Sequence, residues 1–442
     1  MSHSFLDLLL KKTKNVERVN LSGCSKYVNG VEAVKTIIKR CNQLCYLNIN
    51  GCGFVSSEHV LAALRKYRVD LKELGLAYTN KKNIDGSRHF QKYVNSQLGR
   101  RLLSLDLTGV SLCENELQFI MYNCSRLVVL NLFDTKLDQQ CYCENHDSSA
   151  VDFTITVVTR LRKLTLSRSP CRDRVLKMLV DNNPKLECLN AASIDLIGPM
   201  SEPLELANLS QLRELDTSFQ GYGAYEDFGV YRSNFPVSLR VLDISGHCEI
   251  DISLLAATCP ALHTLIINSA IINVRLSSRT VTGTDGKPRT ISHSIQNLHC
   301  LAKLEMCHTQ VEILELLDST SPLPLQELRL EGDFLDDNAL NYIVNAQVPS
   351  PSGRLVHVFS NLTKLTLCKC NNLTDLGMDR VDFTAMPALR DLSIERCSGV
   401  RPGKLIRLQS FLRTSRVSLT CSVNDERPKF HARGPNVEVF MG

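Results

Sequence analysis

The residues best equipped for chemistry are Cys141, Cys143 and His146, crowded into the stretch DQQCYCENHDSS (138–149). Two thiolates and an imidazole are soft ligands suited to a zinc-like ion. Structural zinc sites usually draw on two spaced pairs, however, and this stretch supplies one dense group. It is expected to be a polar loop with spare cysteines, and no metal is expected. Other catalytic arrangements are missing from the sequence: there is no Gly-rich phosphate loop, no Gly-x-Ser-x-Gly elbow and no His-Glu-x-x-His. The expectation is a chain that is not an enzyme and needs no cofactor.

Eighteen cysteines in 442 residues could signal a disulfide scaffold, but such scaffolds belong to short secreted domains that lack a core. Here hydrophobic residues make up 43% of the chain, enough to build one. The opening MSHSFLDLLLKKTK puts its apolar patch ahead of its lysines, the reverse of a secretory signal. No apolar run is long enough to span a bilayer. Reduced thiols, a cytoplasmic or nuclear location and no membrane partner follow as expectations. A net charge of +5 is small for this length, and basic and acidic residues interleave along the chain, so no nucleic-acid partner is expected.

The other cysteines recur at fixed posts. Cys24, Cys52, Cys370 and Cys397 each stand ninth in a segment of the form L-x-x-L-x-L-x-x-(C/N), and Cys41, Cys124 and Cys259 stand three residues ahead of the first leucine of such a segment. Fourteen segments match or nearly match, from VERVNLSGC (16–24) to LRDLSIERC (389–397), at an average spacing of about 29 residues. At both posts a small, weakly polar thiol can pack inside a repeat, where burial makes it inert, so these seven cysteines are expected to be structural.

Such segments must fold as strands. In L-x-L the alternate leucines point to one side and the intervening residues to the other. One repeat cannot bury its own leucines, so neighbours must stack. The second half of several repeats has the three-and-four spacing of an amphipathic helix, as in VEAVKTIIKR (31–40), EHVLAALRKY (58–67) and NELQFIMYN (115–123). The expected fold is an α/β leucine-rich-repeat solenoid, a curved horseshoe with a parallel sheet on the concave face and helices on the convex face. Residues 1–15 are expected to be the outer helix of an incomplete first repeat. Residues 16–425 form the array of about 14 repeats, with longer loops near 136–158, 271–298 and 345–359, and 426–442 form a tail.

In this register the third, fifth and seventh residues of each segment face the hollow, the expected site for a protein partner. Tyr46 and Phe133 are the candidate anchors, being large and on strands. In the second half acids gather, first Glu214, Asp216, Asp243 and Glu305, then Glu327, Glu331, Asp391 and Glu395, against the bases Lys303, Arg329 and Lys364. That half is expected to be acidic and to attract a basic segment of the target.

Cysteine at both posts, with segments such as CNNLTDLGMDRV (370–381) and ATCPALHTL (257–265), resembles the cysteine-containing repeats of F-box leucine-rich-repeat proteins, over roughly residues 16–421. The resemblance implies the substrate receptor of a cullin-RING ubiquitin ligase, with a Skp1-type adaptor and a cullin as partners if an F-box lies upstream. The fifteen residues before the first repeat are too few for an F-box of some forty. A scaffold or regulatory adaptor with no ligase link is the alternative.

Overall fold

The computed structural model describes residues 15–24, 30–53, 55, 57–79, 99–110, 112, 114–135, 137, 160–170, 173–194, 206–218, 235–246, 252–269, 280–282, 288–290, 295–309, 313–350, 352–412 and 417–422. The Cys141/Cys143/His146 stretch, the expected helix over residues 1–15 apart from Asn15, and the 426–442 tail lie outside them. The chain divides into two compact units, residues 1–233 and 234–442.

In the first unit eight described strands, β1 Arg18–Asn20, β2 Tyr46–Asn48, β3 Glu73–Gly75, β4 Ser104–Asp106, β5 Val129–Asn131, β6 Lys163–Thr165, β7 Cys188–Asn190 and β8 Glu214–Asp216, pair in parallel and in register, each with the next. Each begins at the third place of its nine-residue segment, because the leucines on either side of that place must turn inward. Leu47, Leu74, Leu105, Leu130 and Leu164 are at most 2% exposed, and each contributes roughly 1.5–3 kcal/mol by leaving water. Helices α1 Gly30–Arg40, α2 Ser57–Tyr67, α3 Glu114–Asn123 and α4 Asp173–Asp181 follow β1, β2, β4 and β6. In α1, Ala33, Val34, Ile37 and Ile38 form the buried stripe, as the periodicity predicts.

The second unit repeats the plan with β9 Val241–Asp243, α5 Ile252–Thr258, β10 Thr264–Asn268 and then an antiparallel pair, β11 Thr280–Thr282 with β12 Pro288–Thr290. The parallel sheet resumes with β13 Lys303–Cys307, α6 Ile313–Leu317, β14 Glu327–Glu331 and α7 Asp337–Asn345. The stretch 345–359, expected as a loop, forms a hairpin of β15 Gln347–Pro349 and β16 Leu355–His357. Val348 and His357 are both buried, on opposite faces of the hairpin, since Val348 pairs with Val356 and Gln347 with His357. The unit ends with β17 Lys364–Cys368, α8 Asp375–Arg380, β18 Asp391–Glu395, α9 Pro402–Leu412 and β19 Ser418–Ser422. In four repeats a 3-10 turn stands in the outer half, at Gly99–Arg101, Leu206–Asn208, Ile295–Asn297 and Phe383–Ala385.

All fourteen expected strands are present, and β19 is a fifteenth. Seven of the three-residue strands share a device at the fifth residue. Where it is Asn or Asp, at Asn20, Asn48, Asp106, Asn131, Asn190, Asp216 and Asp243, its side-chain oxygen accepts the N–H of the seventh residue at 2.9–3.1 Å, and the strand is three residues long. This is the local side-chain bond by which Asx residues turn a chain. Where the fifth residue is Ile266, Glu305, Arg329, Thr366 or Ser393 the strand runs five residues, whereas β3 and β6, with Gly75 and Thr165 there, are three residues long.

After each strand the chain turns through a left-handed eighth residue. Every described eighth place has φ between +49° and +125°, from Gly23, Gly51 and Gly109 to Tyr78, Asp134 and Lys369. Several ninth residues then turn inward and donate from their side chains. Cys52 Sγ reaches the Leu21 carbonyl at 3.1 Å and Thr135 Oγ1 that of Leu107 at 3.1 Å, while Cys370 and Cys397 reach Leu330 and Leu367 at 3.6 and 3.7 Å. In each of these the acceptor is the sixth residue of the preceding repeat, so a thiol or hydroxyl placed this way ties repeats together, whereas Val110 and Ile194 fill the ninth place with apolar side chains and Thr79 donates within its own repeat. The other cysteine post is a corner: the N–H groups of Cys41, Cys124 and Cys259 bond back to the preceding helix at 2.8–2.9 Å, and their carbonyls accept from the first leucine of the strand.

Candidate functional site

In each unit the third, fifth and seventh residues of the strands lie opposite the inward leucines, on the other face of that unit's sheet. In the first unit Tyr46 is half-buried on β2, with the Arg18 guanidinium 4.0 Å above its ring. Arg18 also pairs with Glu73 at 3.2 Å, and Asn48 donates to the Tyr46 hydroxyl at 3.3 Å. The expected anchor is thus a lidded ring. Phe133 is likewise half-buried, with Arg168 5.6 Å from its centroid.

Beside Phe133 stand residues that sequence reasoning missed. Tyr78, 39% exposed, donates its hydroxyl to Asp134 at 3.3 Å across the gap left by Gly109. A Cβ on Gly109 would run into the Tyr78 ring. Tyr78, Asp134 and Arg168 all occupy the eighth place, where the left-handed turn presents a side chain at the rim of the face. Together with Phe133 they form an amphipathic cluster of two rings and a charge of each sign. The recurring eighth column was the available signal.

On the second unit's face the expected acids stand among bases. Residues in register alternate in sign, Lys303, Glu327, Lys364 and Asp391 lying side by side on successive strands. Glu305 lies 4.0 Å from Lys303 and 3.8 Å from Arg329. Glu331 is 8% exposed and accepts from Arg329 and Lys369, both at 2.8 Å. Burial alone would push its carboxyl up, but the hydrogen bonds from Lys369 and Arg329, with their charges, hold it at about 2. His308 Nε2 stands 3.3 Å away, an ion pair only when the ring is protonated. Asp216 and Asp243 close their strand ends, and Glu395 accepts from Ser393 Oγ at 2.5 Å. Cross-strand pairing thus engages Glu305 and Glu331, while Asp216, Asp243 and Glu395 are satisfied within their own strands. Glu214 and Asp391 are exposed, and Glu327 is half-buried.

Most of the cysteine posts are buried. Cys41, Cys124, Cys259 and Cys370 are fully buried, Cys52 and Cys397 nearly so, and Cys24 is half-buried. Burial pushes the Cys124 thiol up to about 12 and that of Cys259 to about 11. Cys188, on the open face, is pushed up to about 11, first by burial and then by its bond with Glu214. Among the described residues no group of three His, Cys, Asp or Glu could hold a metal ion, and no helix is long and apolar enough to cross a membrane.

No family model matches the chain. It is similar to a BTB/POZ domain-containing protein, FBL11 of Arabidopsis thaliana, at 22% identity over 414 residues, which take in 87% of this chain and 40% of that protein. The chain thus spans about two fifths of the length of this curated relative. Among solved structures it is similar to a chain from the crystal structure of the Rad7 and Elc1 complex in yeast, with a TM-score of 0.42 and 16% identity over 95% of this chain and 88% of that one.

Proposed function

We propose that the chain is a protein-recognition module, the substrate-holding part of an SCF-type ubiquitin ligase of the F-box/leucine-rich-repeat kind, and that it catalyses nothing itself. The observation that carries the recognition role is the aromatic and charged cluster at the rim of the first unit's open face. Its Tyr78, Phe133, Asp134 and Arg168 are fixed by mutual contacts, and aromatic and arginine side chains held in place are what protein interfaces use as anchors. The ligase context is supported by the cysteine-containing repeats and by the similarity to a BTB/POZ-domain protein. It carries with it a cytoplasmic or nuclear location and, through an adaptor, a cullin partner.

Co-purification tests both halves. The tagged chain, expressed from its native locus, is expected to recover an adaptor, a cullin and a target. Replacing Tyr78 and Arg168 with alanine should lose the target at least tenfold while keeping adaptor and cullin. Recovery of a target without adaptor or cullin would leave a scaffold and sink the ligase reading. Undiminished target in the double variant would sink the assignment of the face.

A further inference from the structure

We infer that one edge of the first unit is a docking strip for an acidic peptide segment, apart from the open face. The residues on either side of each inward first leucine line up along this edge. Their backbones form one ladder, in which Lys72, Leu103, Val128, Arg162, Glu187 and Arg213 each donate an N–H to the preceding strand at 2.7–2.8 Å. The intervening leucines, from Leu71 to Leu212, are at most 1% exposed, so the flanking side chains must point to water. From β3 to β8 the twelve flanking places hold seven cations and two carboxylates.

Both carboxylates are already engaged, Asp70 by Arg101 and Glu187 by Arg162 at 2.9 Å. Lys72, Arg126, Arg160, Lys185 and Arg213 are exposed and have no ion-pair partner among the described residues. Along the sequence these cations lie about a repeat apart among acids of other columns, and parallel pairing alone gathers them. A cleft of about 310 Å³ opens on the strip, lined by Asp70, Lys72, Arg101, Leu103 and Arg126. The patch is therefore both charged and concave.

Geometry selects the occupant. Strands about 4.8 Å apart put β3 and β8 roughly 24 Å from each other, the reach of about seven residues of extended peptide. Guanidinium groups match carboxylates two-pronged. A phosphate chain with its even spacing would meet Leu103, Val128 and two carboxylates on the same line, and none of the twelve places holds an aromatic residue on which bases could stack. An Asp/Glu-rich segment fits both the charge and its interruptions.

Fluorescence anisotropy of the full chain with a labelled glutamate-rich nonapeptide tests this. The triple variant Lys72→Glu, Arg126→Glu, Arg160→Glu should bind at least tenfold more weakly, about 1.4 kcal/mol. The charge-matched variant Lys39→Glu, Arg65→Glu, Lys66→Glu, on α1 and α2, should match wild type. Single Arg126→Gln and Arg160→Gln changes, each expected to cost about threefold, serve if the triple variant does not fold. Equal loss in both triples, undiminished binding by the edge variants, no binding by wild type at low salt, or tighter binding of a single-stranded DNA dodecamer than of the peptide would each overturn the assignment.

Discussion

Glu331→Gln removes the charge on which Arg329 and Lys369 converge while keeping the side chain's size. A carboxyl that titrates at about 2 when folded and near 4.3 when unfolded contributes roughly 3 kcal/mol at neutral pH. Arg329 and Lys369 are 37% and 43% exposed, and screening by that water reduces the figure to about 2 kcal/mol. For a unit of about 200 residues this lowers the melting midpoint by about 4–8 °C. The pH dependence has a definite sign. Because the folded value is depressed, the contribution is complete above about pH 5, fades as pH falls through the interval from about 4.3 to 2, and is gone below it. Urea unfolding of wild type and variant at pH 7, 5, 4, 3 and 2 should show the gap closing toward the acid end. A gap of constant size from pH 7 to pH 2, or no gap at pH 7, would refute the account of Glu331 as a buried, paired carboxylate.

Ser169→Ala should cost about 2–3 kcal/mol in urea melts, because it strips a fully buried hydroxyl that accepts the Thr135 N–H at 3.0 Å and donates to the Leu132 carbonyl. Ser169→Cys should recover most of the loss, since thiols fill the same place at Cys52 and Cys370; equal loss in the two variants would remove the ninth-place ladder. Gly109→Ala, at φ +68° and against the Tyr78 ring, should cost about 1–3 kcal/mol, and combining it with Tyr78→Ala should cost less than the sum, as a double-mutant cycle measures. Native alkylation followed by peptide mapping should modify exposed Cys300 well before buried Cys41, Cys124 and Cys259, and simultaneous labelling would contradict their burial.

The register of the sheet was legible because leucine at three fixed places leaves one way to turn each strand. β19 escaped because Val417, Leu419 and Cys421 keep the alternation without the leading leucine. The surfaces were far less legible. Counting acids on the open face suggested a charged patch, yet Lys303, Glu327, Lys364 and Asp391 alternate in sign across strands some 24–37 residues apart in sequence, an order that a count cannot show. The basic edge was hidden for the converse reason, its members being scattered among acids that belong to other columns. Tyr46 and Phe133 were found as outward aromatics, but the arginines above them come from another repeat and could not be read locally. The role of Asn and Asp at the fifth place was open to inspection, because the bond is made within the same turn.

The ladder that joins second-place residues is built of main chain, and the bonds are alike whether the residue is Lys72, Val128 or Glu187. Any repeat can therefore follow any other as far as the backbone is concerned. A gene that duplicates or deletes one such unit alters the length of the sheet without having to reinvent its joints, and identity is left to a few outward columns free to change one residue at a time.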